Sequence, residues 1–229
     1  MSDNRNHDLV KELASAVSTQ AQFANRMWLA LMTVAFFAVL PRVPASSGIL
    51  SLPFSLGEVN AMWFHLIVFS ILVVLAIAFA SAHAQHIRAQ SLAQDSLSAM
   101  VSVSGHIHPR EFFDMMRLPS FNRVAPLVQL LRGKYQYYKT ARDCPSWLRR
   151  LTVVAYVPLK LASLAVYFSL PFWAIWHAYT NVLSVQSAYF VVLSARIGGF
   201  LAGFALLAVL LAEIASASKI VRHLWLPPE

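Results

Sequence analysis

The chain has 229 residues, of which 58% are hydrophobic and only 12% charged, against about 45–50% and 25% in an ordinary soluble domain. Eighteen Lys and Arg face 10 Asp and Glu, a formal charge of +8, and the mean hydropathy is +0.59. This balance excludes a disordered chain, a soluble nucleic-acid binder and most soluble enzymes, and it predicts an all-α integral membrane protein.

Residues 1–22 form the first element. Leu9, Leu13, Val17 and Ala21 recur every four residues, flanked by Val10 and Ala24, which makes one apolar stripe on a helix. Nothing breaks the helix before the first span at 23–40, so a single helix of more than 30 residues is expected. It should project from the membrane, because the stripe has little bulk to bury in lipid. Val43, Pro44 and Ala45 resemble a leader cleavage site. A leader has a short positive start, whereas here 22 polar-to-amphipathic residues come first. The connection at 41–58 holds Pro41, Pro44, Pro53, Gly48 and Gly57 among apolar residues and is expected to pack on the bundle as a loop.

A hydrocarbon core of about 30 Å takes roughly 20 apolar residues in a helix. Further stretches of that kind run over 59–82, 153–179 and 187–217, with a turn at 180–186 and a tail at 218–229. The spans therefore number four. Basic residues orient them. Arg5, Lys11 and Arg26 lie at the N-terminal end. Arg88, Arg110, Arg117, Arg123, Arg132, Lys134, Lys139, Arg142, Arg149 and Arg150 lie in the 83–150 connection, and Lys219 and Arg222 in the tail. Only Arg42, Lys160 and Arg196 fall elsewhere. The positive-inside rule then expects both termini and the region between the second and third spans in the cytoplasm, with the chain multi-pass in the cell inner membrane.

The 83–150 region reads as a helical cytoplasmic domain. The second span continues as helix to about Val101, and Gly105 and Pro109 break it. A short helix follows at Pro109–Arg117, ended by Pro119, and a longer one at Pro126–Arg142, closed by Cys144 and Pro145. A short amphipathic piece at Trp147–Arg150 then enters the third span. Arg132, Lys134, Tyr135, Tyr138, Lys139, Arg142, Trp147, Arg149 and Arg150 mix cations with aromatics, a surface suited to anionic headgroups or an acidic protein face. A nucleic-acid partner is not expected, since the charge is accounted for by topology.

Ionisable residues inside a membrane are costly and need a reason. Lys160 and Glu213 lie at similar depth in the third and fourth spans, which a short turn makes antiparallel neighbours, so they can pair. Arg196 is placed well inside the bilayer from the other side, with Glu58 as a possible counter-charge. Ala195, Gly199 and Gly203 clear one face of the fourth span for close helix packing within or between chains. His83 and His86 share a helix face, and His106 and His108 follow the break. The two pairs are weak metal candidates that lack a third ligand close in sequence. The single Cys144 excludes a disulfide framework within the chain. No catalytic motif, cofactor fingerprint or internal repeat stands out.

The expected function is an oligomeric inner-membrane anchor or sensor subunit, not an enzyme, that docks a soluble cytoplasmic partner. Its expected partners are membrane lipids, copies of itself and that soluble protein. The alternative is a small homo-oligomeric ion channel or pore-forming effector, of the kind used in antiviral defence, with the fourth span lining the pore.

Overall fold

A computed structural model of the chain describes residues 2–40, 48–51, 57–101, 146–185 and 189–225. Four long helices dominate it: α1 (Ser2–Val39), α2 (Ala61–Val101), α3 (Ser146–Val185) and α4 (Tyr189–Trp225). Each contains a stretch long and apolar enough to cross a membrane, at Ser15–Val39, Ala61–Ala93, Val157–Ser184 and Tyr189–Ala215. This is the architecture of a multi-pass membrane protein. Helix α1 is one unbroken element of 38 residues, and α2 runs on to Val101. The third span has no separate entry helix, because Trp147–Arg150 are already part of α3. That helix also continues through Pro158 and Pro171, as membrane helices with satisfied neighbours tolerate.

One element departs from the all-helical expectation. Between α1 and α2 lies a two-stranded antiparallel ribbon, β1 (Ile49–Ser51) with β2 (Glu58–Asn60). Ile49 pairs with Asn60, Leu50 with Val59 and Ser51 with Glu58. Gly48 and Gly57 have positive φ, 60° and 98°, conformations that residues with a Cβ rarely adopt. Leu50 is fully buried, and β2 contacts α2. Asn60 starts α2 as its cap: its Oδ1 accepts from the N–H of Met62 at 3.0 Å and of Trp63 at 3.4 Å. That satisfies two of the donors a helix start leaves open.

The helices pack around α2, which contacts each of the other three, while α3 also touches α1 and α4. Around the bundle the order is α1, α2, α4, α3. Buried positions on α1 are Val17, Ala21, Ala24, Trp28, Leu31, Ala35 and Ala38. On α2 the main series is His65, Phe69, Leu72, Ala76, Phe79, His83, His86, Gln90 and Ala93, with Ala61 and Ala82 buried beside it. Both series alternate steps of four and three, the 3.5-residue period of a left-handed bundle. In lipid there is no hydrophobic drive between helices, so close van der Waals contact must hold them together. Alanines on the seam let backbones approach, and rings fill the gaps. Trp28 packs against Phe79 at 4.9 Å and Phe168 at 5.4 Å between centroids, each pair tilted by 46°. Large apolar side chains such as Ile67, Val74, Val166 and Phe200 point outward instead.

Side-chain contacts also fix directions. His65 meets His177, Phe69 meets Tyr179 and the backbone of Gly198, and His83 meets Glu213. Helix α2 is therefore antiparallel to α3 and parallel to α4.

Candidate functional site: two polar layers in an apolar bundle

Most of the seam is apolar, and the polar side chains it does hold gather at two levels. The first level joins three helices. Lys160 on α3 donates from Nζ to Oε2 of Glu213 on α4 at 2.9 Å, and the other oxygen, Oε1, lies 3.2 Å from Nε2 of His83 on α2. Their exposures are 7%, 5% and 2%, respectively. The pairing of Lys160 with Glu213 is the one expected from the antiparallel turn. His83 is the member that sequence spacing missed, because α2 and α4 are not consecutive in the chain. His86 and Gln90 occupy the next two seam positions of α2 and are also buried. Counting back along α1 from the Trp28–Phe79 contact, Ala24, Ala21 and Val17 come level with His83, His86 and Gln90. Removing a carboxylate and an ammonium from water costs several kcal/mol each, and only close opposite charge and full hydrogen bonding offset it. The short contacts to both carboxylate oxygens supply the close opposite charge and one direct hydrogen bond.

The second level lies toward the ribbon. His65 is 2% exposed, and its ring stands edge-on to His177 of α3 at 6.1 Å. Neither ring nitrogen of His65 has a hydrogen-bond partner among the described residues. Asn181 holds His177 in place: its Nδ2 donates to the His177 carbonyl at 2.8 Å and lies 3.2 Å from Nε2. Gly198 packs against Phe69, and Gly199 against Tyr179, which brings Arg196 to the same level on α4. Arg196 is exposed on the outside of the bundle. No ion pair joins it to Glu58 or to any other described residue.

The two levels are evenly spaced. Eighteen residues separate His65 from His83, and seventeen separate Lys160 from His177 and Arg196 from Glu213. At 1.5 Å per residue these are about 26–27 Å on all three helices, close to the roughly 30 Å of a hydrocarbon core. Between them the three helices carry no charged residue and no histidine. One slab of lipid fits between the layers, with each layer near a boundary. A slab fitted this way puts Arg196 near its edge, whereas counting from one helix end puts it well inside.

The remaining sequence candidates fall as follows. Ala195 is buried and Gly199 lines an intrachain contact, so this part of the small-residue face serves packing inside the bundle. At Gly203 an added Cβ would meet nothing within 4 Å. Among the described residues no three His, Cys, Asp or Glu side chains converge as metal ligands. His83 contacts Glu213 in the ion cluster instead. His106, His108, Arg132, Lys134, Tyr135, Tyr138, Lys139 and Arg142 lie outside the described residues, as do the side chains of Trp147, Arg149 and Arg150.

No protein-family model matches the chain, and no curated protein or solved structure is significantly similar to it.

Proposed function

We propose that the protein is a non-enzymatic, oligomeric inner-membrane anchor or sensor that docks a soluble cytoplasmic partner and couples it to the membrane. The observation that carries this reading is the continuation of the four helices, with α1 and α2 still packed together, beyond the Lys160–Glu213–His83 layer. From that level α1 extends back to Ser2, α2 on to Val101, α3 back to Ser146 and α4 on to Trp225, roughly 18–33 Å of helix past the membrane edge. Val17, Ala21 and Ala24 on α1, and His86, Gln90 and Ala93 on α2, stay buried there. A packed stalk of this kind transmits a displacement rather than absorbing it. The basic residues gather on this side, which supports placing it in the cytoplasm.

The second reading is a homo-oligomeric channel with α4 at the axis, and the exposure of Arg196 favours it. Two features weigh against it. The seam between the two layers is apolar, so a path would have to run between copies. Arg196 also stands near the slab edge, where it needs no aqueous pore.

A gentle-detergent affinity pull-down from native cells, with the mass of the complex measured alongside, tests the proposal. A stoichiometric soluble partner is expected, lost on charge reversal at Arg132, Lys134 and Lys139 while the oligomer persists. A bare homo-oligomer whose conductance in planar bilayers changes with Arg196→Gln would refute the anchor reading and establish the channel.

A further inference from the structure

Arg196 poses a problem that the rest of the molecule does not solve. A guanidinium keeps its charge at any physiological pH, and this one is exposed among Leu193, Ile197 and Phe200, which are also exposed on α4. An anion must come from outside the chain. A second copy offers only a remote one: the sole carboxylate at the ribbon end of the sequence is Glu58. Glu58 lies on β2, beyond the start of α2, whereas Arg196 is level with residues one to two turns inside that helix. With a hydrocarbon slab of about 30 Å centred on layers about 26 Å apart, Arg196 starts only ~2 Å inside the boundary. A snorkelling stem of roughly 7 Å carries its head into the phosphate region.

The surface below Arg196 suits the rest of a lipid. Arg196, Gly199 and Gly203 fall on one side of α4 at helical spacings of three and four. Tyr179 of α3 flanks this strip at Gly199, and the space over Gly203 is open. On its other side stand the exposed rings of Phe200 and Phe204, stacked at 6.3 Å and 16°. This makes a shallow trough that runs from the cation toward the middle of the slab.

We propose that Arg196 binds the phosphate of one phospholipid, whose acyl chain lies along the open surface at Gly203. The site is independent of whether the protein anchors a partner.

The test is native mass spectrometry of the full chain released from detergent, titrated with dioleoylphosphatidylglycerol and, separately, with dioleoylglycerol, which has no phosphate. Wild type should retain one phosphatidylglycerol and not the diacylglycerol. Loss of a charge-assisted contact should weaken retention about tenfold or more in Arg196→Gln, with Arg196→Lys between the two. Gly203→Leu should fill the trough and weaken retention while leaving the cation in place. The protomer mass and thermal midpoint of each variant report folding and assembly. Wild-type retention in both Arg196→Gln and Gly203→Leu would overturn the proposal. So would dissociation of a wild-type oligomer by Arg196→Gln with lipid retention unchanged, which would assign Arg196 to a second copy.

Discussion

Replacing Lys160 with methionine keeps the length of the side chain but removes its charge from the buried layer. Glu213 then loses its 2.9 Å partner and keeps only His83 at 3.2 Å. Both side chains of the broken pair are at least nine-tenths buried, at 9% and 6% exposure, so water cannot readily replace the missing partner. Breaking a buried pair from one side costs about 3–5 kcal/mol, because the charge left behind is uncompensated. The layer lies at a membrane edge, which favours the lower end of that range. For a chain of this size each kcal/mol moves the thermal midpoint by roughly 2–4 °C, so Lys160→Met should melt about 6–12 °C lower. The double variant Lys160→Met/Glu213→Leu removes both charges and leaves no buried ion. It should recover to within about 1 kcal/mol of wild type, or exceed it. Melting curves of wild type, Lys160→Met, Glu213→Leu and the double variant in one detergent, followed by tryptophan fluorescence, give the four midpoints needed. The difference between the double variant and the sum of the singles isolates the coupling. A Lys160→Met midpoint equal to wild type, or a double variant no better than either single, would refute a closed ion layer.

Three further effects should appear in the same assay. Trp28→Ala removes the ring that packs against Phe79 and Phe168 in the middle of the bundle. It should cost about 3–5 kcal/mol, and an unshifted midpoint would mean that α1 is not packed there. Asn60→Ala deletes the α2 cap and should cost about 1 kcal/mol, whereas Asn60→Asp should retain most of it. Gly57→Ala meets no neighbour within 4 Å, yet its φ of 98° is strained for any residue with a Cβ. A loss of about 1–2 kcal/mol is expected from conformation alone, and no loss would mean that the ribbon relaxes freely.

What the sequence made legible follows from the range of the physics involved. The four apolar stretches and the continuity of α1 and α2 depend on local composition and on the absence of helix breakers, both visible along the chain. The Lys160–Glu213 pair was also legible, because a short turn forces α3 and α4 side by side. His83 was not. It shows a helical step to His86, which read as a possible metal pair. Its true partner is on α4, and which non-consecutive helices meet is settled only by packing. The alternation of four and three along α2 was the available signal, since it sets His83 and His86 on the same seam as Phe79. The level of Arg196 relative to the other helices was hidden for a related reason. Depth counted from one helix end ignores the offset between helices, and the contacts of Gly198 with Phe69 and of Gly199 with Tyr179 set that offset. The ribbon escaped notice because strands of three residues carry almost no periodicity. Gly48 and Gly57, at its two ends, were the only trace.

A charged layer is an expensive way to hold four helices together in lipid, since apolar side chains of similar volume would stabilise them as well or better. What it adds is register. The seam of α2 repeats every seven residues, so sliding α2 by one heptad against α4 would still bring seam residues to face its apolar positions. The same slip would set Ala76 or Gln90, in place of His83, opposite Glu213. Either arrangement leaves the Lys160–Glu213 pair without its third member and leaves His83 buried elsewhere. A single polar layer that rejects both slips is the device by which coiled coils fix alignment. With the slab fitted between the two layers it lies where the bundle leaves the lipid, so the register it enforces is also the register of the helices beyond it. In an anchor or sensor, that is the level at which a change in the membrane-embedded half becomes a change in the surface offered to a partner.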